Sequence, residues 1–162
     1  KNVRLEHIDY QILSDTLVYH TETEKTNIIG DTKIKSSNST ISCSKGWFDN
    51  NNQTSSLKGN IVIDSKNYQF YADSIFYQEQ NGEAFAKGEV KIIDDSSQTV
   101  IIGQYGYHNE NKDSARIWEH AIMTQYDSID TIHVYADQFI HVHDNTSKKT
   151  FCFKNVLLSK II

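Results

Sequence analysis

Few side chains in this sequence stand where they could do covalent chemistry. His133, His141 and His143 sit close together, and His141-Val142-His143 puts two imidazoles on one strand face beside Asp144. That spacing suits Zn²⁺ or Cu²⁺, yet a structural zinc site takes four ligands and a catalytic one three plus water. We therefore expect a solvated strand end running into the loop Asp144-Asn145-Thr146-Ser147-Lys148-Lys149, with no metal and no cofactor. Cys43 and Cys152 have no metal-ligand spacing. Cys43 is expected to be a small buried hydrophobe rather than a nucleophile, and a bridge between the two would need Cα atoms within about 7 Å. Carboxylates are frequent, but Glu22/Glu24, Asp94/Asp95 and Asp127/Asp130 fall in expected turns. A glycosidase would need two of them to meet across a cleft.

The sequence contains no nucleophile elbow, no H-E-x-x-H helix, no phosphate-cradling glycine loop and no Cys-His signature. An enzyme is not expected. Lys+Arg total 16 against 21 Asp+Glu, and the net charge of −5 opposes nucleic-acid binding. Lys33, Lys35, Lys58, Lys87 and Lys91 lie on the expected outward phase. Their ordinary role is to keep a surface soluble and its edges from pairing; contact with anionic lipid headgroups is a secondary expectation.

The elements that carry these residues repeat. Small residues at Ser14, Cys43, Ala72, Gly103 and Ala136 are each followed, about sixteen positions on, by a second strand expected to open on Gly30, Gly59, Gly88, Glu119 or Asn155. A fixed period near 30 residues marks an array of supersecondary units. Leu57 to Ile63 and Ala84 to Ile92 superimpose as strands, and their partners are Ile41 to Phe48 and Tyr68 to Tyr77. Turns such as Asp49-Asn50-Asn51-Asn52-Gln53 and Gln80-Asn81-Gly82-Glu83 join them, so each unit is two strands and two turns.

A half-buried strand sends every second side chain to the core. The apolar or small phase runs Leu57, Gly59, Ile61, Ile63; Tyr68, Phe70, Ala72, Ser74, Phe76; Ala84, Ala86, Gly88, Val90, Ile92; Ile101, Gly103, Tyr105, Tyr107; and Val134, Ala136, Gln138, Ile140. Polar residues dominate the other phase, which Val62, Tyr71, Ile75 and Phe85 interrupt. Small residues at the centre of the oily phase leave two outcomes open: facing sheets drawn close, which is the rule for interiors, or an apolar groove for a long hydrocarbon ligand. In the second case the lining would be Ile34, Ile61, Ile63, Phe70, Phe76, Val90, Ile92, Tyr105, Tyr107, Met123, Val134 and Ile140, with Ala72, Ala86, Gly103 and Ala136 leaving room between them.

With 9 Tyr, 7 Phe, no Pro and no sustained helical period, the chain is expected to be all-β. Its 162 residues can bury about 70% of the unfolded surface, enough for one core. No composition shift divides it, so residues 1–162 are expected to form a single domain. No apolar run approaches the roughly 18 residues of a membrane span, and Lys1-Asn2-Val3-Arg4-Leu5 looks like the start of a strand.

Four stretches carry a resemblance: Ile41 to Asp49, Leu57 to Ile63, Tyr71-Ala72-Asp73-Ser74-Ile75-Phe76-Tyr77, and Ala86-Lys87-Gly88-Glu89-Val90-Lys91-Ile92. They resemble the repeated "small-Asp-x-x-x-Tyr … Gly-x-Val-x-Ile" units of OstA-like proteins, the LptA/LptC/LptD-N-terminal superfamily of lipopolysaccharide transport. The likeness runs from about Ser14 to Leu157 and is strongest from Thr26 to Asp94. It implies an oblong β-jelly roll of consecutive antiparallel strands, built from about five two-strand repeats and open at both ends. It also implies a periplasmic location, stacking end to end with other OstA-like jelly rolls or with copies of itself, and a trough for the acyl chains of lipopolysaccharide or a related glycolipid. Glu119 and Asn155 depart from the glycine of the earlier units, as terminal repeats often do. Two other classes remain: a surface or adhesin-like module binding glycan or protein through Trp47, Trp118 and Tyr126, and a carbohydrate-active enzyme on a β-scaffold.

Overall fold

The computed structural model describes residues 3–6, 8, 10–66, 68–112, 114–126, 130–143 and 148–161. The strands are β1 (Val3–Glu6), β2 (Tyr10–His20), β3 (Lys25–Ser36), β4 (Ser39–Asp49), β5 (Thr54–Ser65), β6 (Tyr68–Gln78), β7 (Glu83–Asp94), β8 (Thr99–Asn109), β9 (Ser114–Tyr126), β10 (Thr131–His143), β11 (Lys148–Phe153) and β12 (Leu157–Ile161). All twelve share one sheet in sequence order from β1 to β11, every pair antiparallel, and β12 pairs with β10. Among the described residues the only helical element is a 3-10 turn, Glu79–Asn81, closed by Gly82 at φ 62, and no helix is long and apolar enough to cross a membrane.

The repeat has a geometric cause. Gly30, Gly59 and Gly88 lie in the middle of β3, β5 and β7, not at strand openings as expected, because each strand begins about five residues earlier. Each glycine starts a bulge that opposes a single residue of the neighbouring strand: Gly30–Asp31 faces Asp15, Gly59–Asn60 faces Asp73, and Gly88–Glu89 faces Gln104. Glu119–His120 repeats the pattern opposite Asp137. Lys154 and Asn155, both at positive φ, complete it between β11 and β12, where Asn155 Nδ2 donates to both carboxylate oxygens of Asp137 at 3.1 Å. Bulges bend a strand and raise its local twist. Aligned at mid-strand across the whole sheet, they make one fold line.

Glycine is required at this line by crowding as well as by torsion. Gly88 sits at φ +81, and a Cβ there would lie 2.1 Å from Asp73 Oδ2. In the fourth unit the demand moves across the ladder. Gly103 now occupies the small position, where a Cβ would lie 2.5 Å from Ile117 Cγ2, and Glu119 and His120 take positive φ of 64 and 57.

The fold line also changes the phase of the even-numbered strands. In β6 the inward residues are Phe70 and Ala72, then Ile75, because Ala72 pairs with Ile61 whereas Ile75 pairs with Leu57 and Ala86. The same step of three recurs as Ser14/Leu17, Cys43/Gly46, Gly103/Gly106 and Ala136/Phe139. Ser74, Phe76, Tyr105, Tyr107, Gln138 and Ile140, expected on the oily phase, therefore stand on the opposite face. Ile75, Gly106 and Phe139 take their places, and Phe139 is among the most buried side chains. Odd-numbered strands keep their phase, since their two-residue bulge preserves alternation.

Two inner rows cross the sheet, one in each half. The first reads Leu5–Ile12–Ile34–Ile41–Ile63–Phe70–Ile92–Ile101–Met123–Val134–Leu158. The second reads Leu17–Ile28–Gly46–Leu57–Ile75–Ala86–Gly106–Ile117–Phe139–Cys152. Both contain buried residues, and the described part of the chain offers no second layer to cover them. The halves must cover each other: the sheet closes along the bulge line into a β-jelly roll.

Candidate functional site

The closed sheet forms a slot with the bulge line as its floor and hairpins along its two lips. The floor is filled. Ser14, Thr32, Cys43, Ile61, Ala72, Val90, Ala121 and Ala136 are all buried there, and Val90 has no accessible surface. The small residues thus serve close approach of the two halves at the fold, the first of the two outcomes left open by the sequence. Two core clusters result, one from β2–β5 around Ile28 and Ile61, the other from β6–β10 around Val90 and Phe139, and Ile75 packs against both.

Above the floor the first inner row changes character. Ile41, Ile63, Phe70, Ile92, Ile101 and Met123 are consecutive cross-strand neighbours from β4 to β9, every one apolar and every one only half-buried. Six strands at about 4.8 Å spacing make this stripe about 24 Å long. Of the anticipated lining, Ile63, Phe70, Ile92 and Met123 lie in the stripe. Ile34 and Val134 are buried at its two ends, Ile61, Val90, Ala72, Gly103 and Ala136 line the floor, and Ala86 lies in the opposing row. Phe76, Tyr105, Tyr107 and Ile140 are on the outer face, for the phase reason above. Ile41 and Ile101 belong to the stripe but were absent from the anticipated lining; cross-strand register, which fixes row membership, is what identifies them.

One lip is tied by hydrogen bonds between successive turns. Asn51 Nδ2 donates to Thr23 O at 3.1 Å, Glu79 N to Gln53 O at 2.9 Å, Glu110 N to Gly82 O at 2.8 Å, and Asn111 Nδ2 to Asn81 O at 2.8 Å. Buried Asp49 joins this lip through Lys25 Nζ at 2.9 Å. The Lys25 hydrogen bond, then those from Asn52, pull its carboxyl down to about 2. Along the other lip an open cleft of about 660 Å³ is lined by Ile93, Asp94, Asp95, Gln98, Thr99, Val100 and Tyr126. Partial burial there would raise the Asp94 carboxyl, but hydrogen bonds from Ser96 and Ser97 outweigh it and lower it.

Among the described residues the other reactive side chains are not gathered. Cys43 and Cys152 are free thiols on strands seven apart in the sheet, about 34 Å, which excludes a bridge between them; burial pushes the Cys43 thiol up to about 11. His133 pairs with Thr124 at 2.9 Å and His141 with Thr150 at 3.0 Å, on opposite sides of the fold line. The His143 side chain, Asp144 and Asp127 lie outside the described residues. Asp130 forms an ion pair with Lys160 at 2.5 Å. Trp47 and Trp118 stand on the outer face, beside Phe76 and Tyr105 respectively, and Tyr126 is exposed at the end of β9.

A single antiparallel sheet folded along a line of aligned bulges, with a half-buried apolar stripe on its inner face, defines a β-jelly roll. The chain belongs to the OstA-like protein family, whose model matches residues 1–130. It is also similar to the crystal structure of LptH, the LptA homologous periplasmic component of the conserved lipopolysaccharide transport device from Pseudomonas aeruginosa, with a TM-score of 0.59 over 68% of this chain and 82% of that one. At 11% identity that likeness speaks for the fold. No curated protein matches the sequence.

Proposed function

We propose that this protein carries lipopolysaccharide or a related glycolipid, sheltering its acyl chains in the slot, without covalent chemistry. The observation that carries this is the half-exposed stripe Ile41–Ile63–Phe70–Ile92–Ile101–Met123, an uninterrupted apolar track on the inner face. Moving a lipid through water exposes its tails at a cost of about 0.8 kcal/mol per methylene, and a continuous apolar track lowers that barrier. The buried positions Ile34, Ile61, Val90, Val134, Ala72, Ala86, Gly103 and Ala136 complete the lining as the wall behind the track. Residues 1–162 act as one domain. Family membership and the fold shared with LptH support a place in the periplasm, within a bridge of OstA-like jelly rolls or of copies of this chain stacked end to end through β1 and the β11/β12 edge.

The test is displacement of a fluorescent fatty-acyl probe from the purified protein by lipopolysaccharide. Ile92→Glu should weaken probe binding at least tenfold, because it puts a charge against the tails, while Ile102→Glu, on the outer face of the next strand, should leave it unchanged. Equal binding by both variants would refute the track.

A further inference from the structure

The outer face of the second sheet half differs from an ordinary solvated surface. Its row nearest the fold line reads Ile29–Lys45–Lys58–Ser74–Lys87–Tyr105–Trp118. The next row, towards the hydrogen-bonded lip, reads Trp47–Ser56–Phe76–Phe85–Tyr107–Arg116. Rings meet across the strands: Trp47 and Phe76 have centroids 6.3 Å apart, Phe85 and Tyr107 5.0 Å, and Tyr105 stacks on Trp118 at 5.6 Å. Cations lie over them, Lys87 5.9 Å from the Tyr105 ring and Arg116 4.7 Å from that of Trp118. Phe85, at the centre, is 42% exposed.

The charges on this face are unequal in what they do. Its carboxylates are already engaged, Asp49 by Lys25 and Glu83 by the Tyr107 hydroxyl at 2.7 Å. Lys45, Lys58 and Lys87 form no ion pair among the described residues, and Lys45 stands directly opposite Lys58, a like-charge pairing that destabilises a sheet. Beyond the lysines, Asp73 and Glu89 are exposed at the fold line, so an anion attracted by the ammonium groups is confined to their aromatic side.

Flat rings offer the C–H faces of pyranoses a stacking surface, and unpaired ammonium groups beside them complement acidic substituents. We propose that this strip binds an anionic, phosphorylated saccharide, the headgroup of the lipid whose tails lie in the slot. This rests on the proposed function. A headgroup leaving the slot over the hydrogen-bonded lip reaches the aromatic row within a few residues of strand, about 7 Å for each step of two.

Both tryptophans of the chain, Trp47 and Trp118, lie in the strip, so intrinsic fluorescence reads it directly. The ligand for the test is the phosphorylated saccharide left after complete deacylation of lipopolysaccharide, which cannot report on the slot. Saturable binding with a tryptophan emission change is expected, weakened at least tenfold by Lys58→Gln/Lys87→Gln and by Trp118→Ala, each checked for folding by circular dichroism. Removing the phosphates should weaken it comparably. The fatty-acyl probe should bind all these variants as it binds the parent. No saturable binding, equal binding by Lys58→Gln/Lys87→Gln, or equal binding of an unrelated polyanion such as heparin would overturn the proposal. Failure of the fatty-acyl probe to bind the parent protein would instead count against the slot.

Discussion

At the scale of single residues, the fold line is where sequence choice is least free. Gly88→Ala adds a Cβ that meets the Asp73 carboxylate and imposes a left-handed torsion on an L-residue. The expected loss is about 2 kcal/mol or more, measurable by urea unfolding, and Asp73→Ala should restore part of it in a double-mutant cycle. Glu119 makes the opposite prediction. It holds φ 64 where earlier units have glycine, so Glu119→Gly should gain about 0.5–1 kcal/mol by releasing that torsion, seen as a higher Tm; a lower Tm would mean that the side chain holds the bulge in some other way. Asp49 gives a pH signature. Its carboxyl is held at about 2 in the folded chain by Lys25 and Asn52, below the usual value of about 3.9. Its stabilisation is therefore complete above about pH 4 and lost as pH falls through about 2. Asp49→Asn should lower stability at neutral pH and flatten the acid limb of the unfolding curve between those values.

At the scale of strands and rows, the period of the array, the all-β class and the phase of the odd strands were legible, because alternation in β5 and β7 runs unbroken through Gly59 and Gly88. The even strands were not, since one residue of theirs answers two in each neighbour, and alternation restarts one place late. A signal for this exists in the sequence: from Ser14, Ala72 and Ala136 the next large apolar core side chain is three positions on, at Leu17, Ile75 and Phe139, while Cys43 and Gly103 are followed at the same step by Gly46 and Gly106. Missing it sent Phe76, Tyr105, Tyr107 and Ile140 to the wrong face and passed over Phe139. Period-two alternation also left open whether the small residues make room for a ligand or let the two halves meet; their burial at the floor fits the second. Ala72→Trp should accordingly overpack the floor and cost about 1–3 kcal/mol, whereas Phe70→Trp, in the half-exposed stripe above it, should stay within about 1 kcal/mol of the parent; chemical denaturation separates the two.

At the scale of the whole molecule, one sheet does the work of two layers because its bulges line up, and this leaves an apolar face that is sealed at the floor and accessible above it. The most direct test of the proposed path places a photoreactive phenylalanine analogue at Ile101 or at Ile102, adjacent residues of β8 on opposite faces, in protein incubated with lipopolysaccharide. The proposal requires the lipid to be captured at Ile101 and spared at Ile102. Equal capture at the two positions, or capture at Ile102 alone, would contradict it.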